Sequence, residues 1–406
     1  PGCGGGHAQA PAPVNAACLP NARRPVASTD PAKAAAIRAI ALDTIKTRHA
    51  RAVLIRATVD GQEILTEAFG ESGDGEPATV DMHFRNGSVA IALVSMLLLI
   101  LVDEGRVSLD AKVGRWLPDL PHGDRVTLRH LSQMTAGYAD YVRDADFLAA
   151  NLADPYRVWQ PQELIAFAVR RPLFFEPGTN WAYSHTDYVI LGLAIERITG
   201  RPMHELMQDK VLGPLCMTHT TDPRSPAITA PVLRAFTGER RAALGIAPGQ
   251  PFYEESTLWD PSWTITQGAV QVTDLYDLHT SAIAFGSGLL LSPASHAAQV
   301  STSLRGRTTF VDGCPTCFPH SERYAFGLGV VLKGNWILQP PLFGGYSAVA
   351  AYHEGRRVAI AAAVTYAPSA VDDDGEYRLG NESETLFGSI ARVLLPEDPP
   401  PARVPG

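Results

Sequence analysis

The stretch FRNGSVAIALVSMLLLILVDEG, residues 84–105, places a Gly-Ser turn in front of a long apolar run. The run extends from Val89 to Val102 and is interrupted only by Ser95. It is shorter than the roughly 20 residues that a helix needs to span a bilayer. We therefore predict a buried core helix over residues 88–105, closed by a glycine, which commonly ends helices.

Periodic segments on both sides of this helix predict the rest of the fold. Helices are predicted over residues 31–49, Asp187–Thr199 and 380–395, and strands over residues 51–58, 62–69, Ala325–Leu332, Ser347–His353 and Val358–Tyr366. The first two strands are joined at Asp60-Gly61, a hairpin signal. Because helical segments separate the early strands from the late ones, we predict an α+β fold (an α/β sandwich). Both ends of the chain complete an antiparallel sheet, which is flanked by helices and carries an inserted helical lobe.

Composition changes along the chain predict three parts. Residues 1–30 are rich in Ala, Pro, Gly and Asn, which is typical of a flexible tether. Residues 31–395 form one domain, with a sheet lobe at about 31–86 and 324–395 and a helical lobe at about 110–300. Residues 396–406 are expected to form a loose, proline-rich tail.

Charge and hydrophobicity restrict the class of partner. Of the 406 residues, 46% are hydrophobic, enough to bury a large core. The net charge is −8, and the longest basic run is Arg356-Arg357. An acidic chain without a basic stripe is not expected to bind nucleic acid or an anionic membrane surface.

Ten short motifs follow one another in a fixed order. They are FRNGSV (84–89), LVDEGRVSLD (101–110), WLP (116–118), VTLRHL (126–131), TAG (135–137), FEPG (175–178), WAYS (181–184), YVILG (188–192), ITG (198–200) and GPLCM (213–217). In this order and spacing the chain resembles the serine β-lactamase and penicillin-binding-protein-like hydrolases, related to class C β-lactamases, over about residues 31–395. The resemblance implies a β-lactamase/transpeptidase-like fold, acyl transfer through a serine ester, and no cofactor.

Ser88 matches the nucleophile of that family, which opens a helix in an S-x-x-K motif. The family's lysine lies one helical turn beyond the serine and faces it. Here position 91 is Ile91, which neither accepts a proton nor supplies positive charge. We therefore expect the fold to tolerate the change and catalysis not to. The alternative role of Ser88 is that of a helix N-cap.

Tyr183 matches the tyrosine of the family's Y-x-N motif, whose asparagine position holds His185. A phenol has a pKa near 10 and needs a nearby cation to act as a base, so we expect Tyr183 to stay protonated. His185 is a possible replacement base. The favoured alternative is a surface or hydrogen-bonding histidine at a helix start.

The third family motif, a cation followed by glycine on an edge strand, has two possible alignments. One places Gln339-Pro340-Pro341 in the motif. The other, slightly preferred, places Leu342 in the cation position and makes Gly344 and Gly345 the substrate-binding glycines, because glycine lets the backbone approach a ligand. Neither alignment supplies a cation, and the alternative role of the two glycines is to form a turn or bulge.

The chain has five cysteines. Gly2-Cys3 resembles the cleavage point of a bacterial lipoprotein, so Cys3 is a lipidation candidate, and the alternative is an ordinary free cysteine in a disordered tail. If Cys3 carries a lipid, four cysteines remain, an even number that suits an oxidising compartment. Cys314 and Cys317 form a C-x-x-C that predicts a disulfide staple in preference to a redox site, since no strand-then-helix setting surrounds it. The pairing of Cys18 and Cys216 stays open. His320 extends the C-x-x-C, but no fourth ligand is evident, and no metal site is predicted.

These observations lead to two hypotheses about function. The first is an exported lipoprotein of the bacterial cell envelope, tethered to the membrane by a lipid on Cys3, whose catalysis is weakened or lost. Such a protein would bind a small or peptidoglycan-like ligand, or another envelope protein. The alternative is an active serine hydrolase (an esterase, D-alanyl peptidase or weak β-lactamase) with Ser88 as its acyl-forming nucleophile.

Overall fold

A computed structural model describes residue 23 and residues 26–402. Helices lie at α1 (Pro31–Thr47), α2 (Val89–Asp103), α3 (Leu128–Ser132), α4 (Ala145–Ala153), α5 (Pro161–Val169), α6 (His185–Thr199), α7 (Met203–Met207), α8 (Leu275–Ser287), α9 (Pro293–Gln299) and α10 (Glu382–Leu394). Strands lie at β1 (Ala50–Val59), β2 (Gln62–Gly73), β3 (Glu76–Pro77), β4 (Phe84–Arg85), β5 (Phe236–Thr237), β6 (Glu254–Glu255), β7 (Val272–Thr273), β8 (Ala325–Phe326), β9 (Val331–Lys333), β10 (Trp336–Gln339), β11 (Leu342–Phe343), β12 (Tyr346–His353) and β13 (Val358–Tyr366).

The main sheet is antiparallel and is completed by both ends of the chain. Its order is β3-β2-β1-β13-β12-β10-β9-β8, and β11 pairs with β12. The N-terminal strand β1 lies beside the C-terminal strand β13, from Ala50 opposite Tyr366 to Val59 opposite Val358. The predicted α+β fold with an inserted helical lobe is confirmed, since α3 to α7 lie between β4 and the late strands.

Helices cover the two faces of this sheet. Helices α1 and α10 pack on β1, β12 and β13, and α8 packs on the same central strands. Strand β13 is buried along its whole length, which explains its unbroken apolar sequence. On α8, a Cβ added to Gly286 would lie 2.3 Å from the Cβ of Tyr352, so glycine permits this close helix–sheet contact.

The central helix α2 begins and ends almost where the sequence predicts. Twelve of its apolar residues are buried, as is Ser95, whose hydroxyl hydrogen-bonds the hydroxyls of Ser132 and Tyr188. Among the residues that the structure describes, no helix is long and apolar enough to cross a membrane. The apolar run is therefore core, held between the sheet lobe and the helical lobe.

The predicted strand Ala325–Leu332 is wrong as a single element. It divides into β8 and β9, because Gly329 has φ +73° and approaches the side chain of Ser95 on α2. A Cβ at that glycine would lie 2.3 Å from the Ser95 hydroxyl oxygen. The sequence also missed β10, a short strand that pairs with β9 and β12.

The chain termini are better anchored than expected, as far as they are described. Thr29 donates its backbone N–H to the carbonyl of Glu63. The expectation of a loose tail is wrong for residues 396–402, since Asp398 accepts hydrogen bonds from Asn335 (2.7 Å) and, through its carbonyl, from Trp336 (3.0 Å). Most of the predicted tether, and Cys3 with it, lies outside the described residues.

Candidate active site

Ser88 lies in a tight turn between β4 and α2. Gly87 has φ +51°, and a Cβ there would approach Pro341 to 2.7 Å, so the turn requires glycine. The N–H groups of the next three residues bond to the carbonyls of residues 86–88. The Ser88 side chain makes no capping bond. The N-cap alternative is therefore not supported, and the half-buried hydroxyl faces another partner.

That partner is Tyr183. Its hydroxyl donates a hydrogen bond to the Ser88 hydroxyl at 3.2 Å, so the structure brings together two residues that are 95 positions apart. Burial, together with the negative charge of Asp140, raises the pKa of Tyr183 to about 12, although the hydrogen bond to Ser88 lowers it. The phenol is thus protonated near neutral pH, as the sequence predicted, and serves as a donor rather than a base.

Ile91 is fully buried within α2. Its side chain belongs to the main hydrophobic core, one helical turn after Ser88. An ammonium group at this position would lose its hydration, which costs several kcal/mol unless a partner compensates. Isoleucine therefore suits the packing and leaves the serine without the positive charge that the S-x-x-K motif supplies.

His185 makes a close pair with Asp140. The carboxylate of Asp140 contacts the Nδ1 of His185 at 2.9 Å and accepts a hydrogen bond from its backbone N–H at 3.2 Å. The His185 ring also lies edge-on to the Tyr183 ring, with centroids 5.3 Å apart. This agrees with the prediction of a hydrogen-bonding histidine at a helix start. Sequence reasoning missed Asp140, which follows the TAG motif closely but carries no motif of its own.

Gly344 and Gly345 form the two-residue turn between β11 and β12. Both have positive φ, of +51° and +87°, which this kind of hairpin turn requires. A Cβ at Gly345 would collide with the backbone of Phe236 at 2.6 Å. The turn or bulge alternative accounts for both glycines, and their role in substrate binding stays a prediction.

Pro341 is the residue of the third motif that contacts the serine turn, through Gly87. This contact favours the alignment of Gln339-Pro340-Pro341 over the preferred one, because the motif should lie against the nucleophile. Gln339 itself is buried and donates to the carbonyl of Gly329 at 2.6 Å. Proline has no N–H to offer, so the edge that would bind an acyl oxygen in the family has lost both cation and glycine.

Aromatic side chains extend from Tyr183 along one wall. The centroid of the His185 ring is 6.2 Å from that of Trp263, which in turn is 5.7 Å from that of Phe343. These residues, like Ser88, are half-buried, so their faces remain partly open to solvent. Neither Trp263 nor Phe343 was singled out from the sequence. Trp263 ends a one-turn 3-10 helix and Phe343 lies on the two-residue strand β11, and neither belongs to a recognisable motif.

The predicted disulfide between Cys314 and Cys317 is present. Its sulfurs pack on Ala182 beside Phe174 and Phe175, and the hydroxyl of Thr316 donates to the carbonyl of Tyr183 at 3.3 Å. The disulfide therefore supports the loop that presents Tyr183 to Ser88. Cys216 is disulfide-bonded as well, which is typical of an oxidising compartment.

Comparison with known proteins identifies the family. A family model described as Beta-lactamase matches residues 37–383. The chain belongs to the beta-lactamase family. Among solved structures, the D-amino acid amidase from Ochrobactrum anthropi SV3 superimposes with a TM-score of 0.72 at 22% identity, covering 89% of this chain and 99% of that one. At that identity the likeness supports the fold alone.

Two curated relatives are similar over shorter segments. Penicillin-binding protein 4* of Bacillus subtilis is 27% identical over 182 residues, which cover 44% of this chain and 39% of that protein. Esterase EstB of Burkholderia gladioli is 33% identical over 154 residues, which cover 35% of this chain and 39% of that protein. The chain thus matches about two fifths of the length of either relative.

Proposed function

We propose that this beta-lactamase-family protein acts by binding, and that acyl transfer at Ser88 has been lost. The observation that carries the proposal is Ile91, fully buried where the family has its lysine. A serine hydroxyl needs a base to become a nucleophile at neutral pH. With isoleucine at position 91, no positive charge there offsets the burial that raises the pKa of the neighbouring phenol.

The other candidate bases support the same conclusion. Tyr183 has a pKa of about 12 because of its burial, so only a very small fraction is ionised at pH 7. The Nδ1 of His185 contacts the carboxylate of Asp140, whereas the hydroxyl of Ser88 accepts a hydrogen bond from Tyr183. His185 is therefore not placed as the base of Ser88. Pro340 and Pro341, which follow β10, have no backbone N–H, so neither can donate a hydrogen bond to an oxyanion.

The proposed ligand is a small acyl or peptide-like molecule. The partly open wall of Trp263, Phe343 and Tyr183 supplies apolar contact area beside a pair of hydroxyls, a combination typical of small-molecule sites. The names of the similar proteins refer to penicillin binding, an esterase and an amidase of D-amino acids, all of which concern acyl compounds. A peptidoglycan-like fragment is the member of this class that we propose first.

The first test uses intact-protein mass spectrometry. The protein and its Ser88→Ala variant are incubated separately with a reactive penicillin and with a fluorophosphonate. We expect no mass increase in either protein, with folding checked by circular dichroism. A mass increase that is absent in Ser88→Ala would overturn the loss of nucleophilicity.

A second test measures binding itself. Tryptophan fluorescence and calorimetry would follow titration with a D-alanyl-D-alanine-terminated muropeptide. We expect saturable binding that Trp263→Ala weakens at least about tenfold, with Trp116→Ala, a tryptophan of the loop after α2, as the control. Equal or absent binding in all three proteins would contradict a ligand in this cleft.

One observation favours the alternative of a residual serine hydrolase. Ser88 is hydrogen-bonded to Tyr183 and His185 to Asp140, and the two pairs meet where the His185 ring lies edge-on to the Tyr183 ring. A water between the two pairs would complete a route for a proton. If Ser88 is labelled in the first test, His185→Ala and Asp140→Asn should each slow the labelling. Labelling at the original rate in both variants would exclude this route.

Export and envelope location belong to the same proposal. They are supported by the disulfide of Cys314 and Cys317, a bond that persists in oxidising compartments. A lipid on Cys3 would add a membrane anchor, although one chain alone gives only marginal binding. Labelling with a fatty-acid analogue in cells, compared with a Cys3→Ser variant, tests this anchor, and equal labelling would refute it.

A further inference from the structure

Two histidines and an aspartate meet beneath the strand that leads into Ser88. His83 directly precedes β4, His219 follows the helical lobe's α7 segment, and Asp274 caps the N-terminus of α8. One nitrogen from each imidazole and one carboxylate oxygen lie within 4.8 Å of one another. None of the three has a part in the cleft around Ser88 and Tyr183.

Two of the three separations match those between the ligands of a tetrahedral metal ion, and the third is within 4.8 Å. The two imidazole planes lie within 3° of each other with centroids 5.4 Å apart, so the facing nitrogens point at each other, and the exposed His219 ring must rotate for both lone pairs to reach one ion. The Nε2 of His83 is 3.2 Å from the Nδ1 of His219, which is 3.4 Å from the Oδ2 of Asp274. Ligands at about 2.0–2.1 Å from a tetrahedral Zn²⁺ are separated from each other by about 3.3 Å. We propose that His83, His219 and Asp274 bind one divalent transition-metal ion, with Zn²⁺ as the ion best suited to two imidazoles and a carboxylate.

Surrounding contacts orient the three side chains. The Nδ1 of His83 lies 3.3 Å from the carbonyl oxygen of Pro231, which can only accept, so this nitrogen carries the proton and the Nε2 presents its lone pair to His219. The backbone N–H of His219 donates to Asp277 at 2.9 Å. Asp274 uses its Oδ1 to accept from the N–H of Asp277 at 2.8 Å, so its Oδ2, which Arg23 also contacts, is the oxygen that would bind the ion.

The local charge also favours a cation. Asp274 and Asp277 are almost fully buried, so their carboxylates have little hydration and need a positive charge nearby. The guanidinium of Arg23 contacts both carboxylates and offers them a single positive charge. Arg23 is thus the competitor of the metal for the Oδ2 of Asp274.

The ion would have a structural effect. It would connect the start of β4, the loop at His219 and the N-terminus of α8, where β7 already pairs with β4. Asn86, in the serine turn, exchanges two hydrogen bonds with the backbone of Gln271 beside β7. A metal at this position would hold the ribbon that supports the Ser88 turn.

Calorimetry with the full chain, first dialysed against chelator, tests the site. We expect one equivalent of Zn²⁺ to bind, and Co²⁺ to give the visible absorption of a tetrahedral ion. His219 is 42% exposed, so His219→Ala should stay folded and weaken binding at least about 100-fold. The control is His204→Ala, on α7 and outside the cluster, which should bind like the unaltered protein.

Arg23→Ala separates metal binding from an ordinary hydrogen bond between the histidines. Removing the competing guanidinium should tighten Zn²⁺ binding about tenfold. Unchanged affinity would overturn the three-ligand site, because Asp274 would not then be a ligand. Absence of Zn²⁺ binding in the unaltered protein, or equal binding in His219→Ala, would overturn the proposal altogether and assign the 3.2 Å contact to an N–H···N bond.

Discussion

At Ile91, stability of the core favours an apolar side chain, whereas catalysis in this family requires a lysine. The position is fully buried, so an apolar side chain contributes about 2 kcal/mol or more through burial. A lysine there would lose its hydration, which costs several kcal/mol unless a partner compensates. If the proposed loss of acyl transfer holds, the present residue favours the folded state at the expense of catalysis.

Replacing Ile91 by lysine tests whether position 91 sets both the stability of the fold and the reactivity of Ser88. We expect Ile91→Lys to lower the free energy of unfolding by about 3 kcal/mol, because a charge enters the core, and to increase labelling of Ser88 by a fluorophosphonate. Ile91→Met, similar in length and uncharged, should cost less than about 1.5 kcal/mol and leave labelling unchanged. Urea unfolding and intact mass measure both effects. A stable lysine variant that remains unlabelled would show that position 91 is not what limits Ser88.

His320 provides a second prediction at the residue scale. Its ring packs on Trp181 with centroids 4.6 Å apart, and neither ring nitrogen has a hydrogen-bond partner among the described residues. Burial lowers the pKa of His320 to about 4, below the 6.5 of an unfolded chain. The neutral ring therefore stabilises the fold fully above pH 6.5, and this stability is lost as the pH falls through the folded value.

The expected loss between pH 6.5 and pH 4 is about 3 kcal/mol. His320→Phe keeps an aromatic ring but cannot be protonated. The unfolding free energy of this variant should therefore lack the loss of about 3 kcal/mol that His320 causes between pH 6.5 and pH 4. The difference between the two urea-unfolding curves, measured at several pH values, isolates the histidine. Parallel pH profiles would show that His320 is not protonated differently in the two states.

Much of the candidate site was recognisable at the residue scale, because Ser88 and Tyr183 each lie in a motif of fixed spacing. Asp140 was not, since a carboxylate that bonds a distant histidine leaves no local pattern. The same holds for His83 and His219, which are 136 positions apart. The sequence predicted no metal site because ligands on three separate segments give no recognisable spacing.

At the scale of elements, the segment 308–320 braces the loop that carries Tyr183. Asn180 exchanges two 3.0 Å hydrogen bonds with the backbone of Thr309, and the disulfide packs on Ala182. The C-x-x-C predicted the covalent bond but not what it supports. That contact depends on how the helical lobe folds against a late loop, which periodicity does not encode.

Removing the disulfide should increase the mobility of the loop that carries Tyr183. The double variant Cys314→Ser/Cys317→Ser is expected to lose about 2 kcal/mol, the entropy of closing a loop of four residues. Hydrogen exchange should become faster over residues 180–184, while the distant strand β13 keeps its protection. Unchanged exchange at 180–184 would indicate that the noncovalent contacts alone hold the loop.

Strand prediction succeeded where both faces of a strand are buried and failed where glycines interrupt it. β12 and β13 are long, apolar and close to their predicted bounds. The Gly327–Gly329 segment turns where it approaches two helices. A Cβ added at Gly327 would lie 2.0 Å from the carbonyl oxygen of Gln299 at the end of α9, and one at Gly329 would lie 2.3 Å from the Ser95 hydroxyl on α2. Only the three-dimensional positions of α2 and α9 reveal that constraint.

At the scale of the whole molecule, the fold depends on joining its two ends. β1 pairs with β13, and α1 packs against α10 on the same face of the sheet. Arg48, just after α1, forms a two-pronged ion pair with Glu382 at the start of α10. Glu382 is fully buried, whereas Arg48 is one-third exposed. Removing Arg48 and removing Glu382 should therefore change the free energy of unfolding by different amounts.

The asymmetry predicts the outcome of a double-mutant cycle. Arg48→Met leaves an unpaired carboxylate in the core and should lower the free energy of unfolding by about 3 kcal/mol. Glu382→Gln leaves a guanidinium that water can reach, and should cost about 1 kcal/mol. The double variant should be more stable than Arg48→Met alone, because no buried charge remains. Strictly additive costs would instead mean that each side chain contributes through packing, and that the closure of the two ends does not depend on this pair.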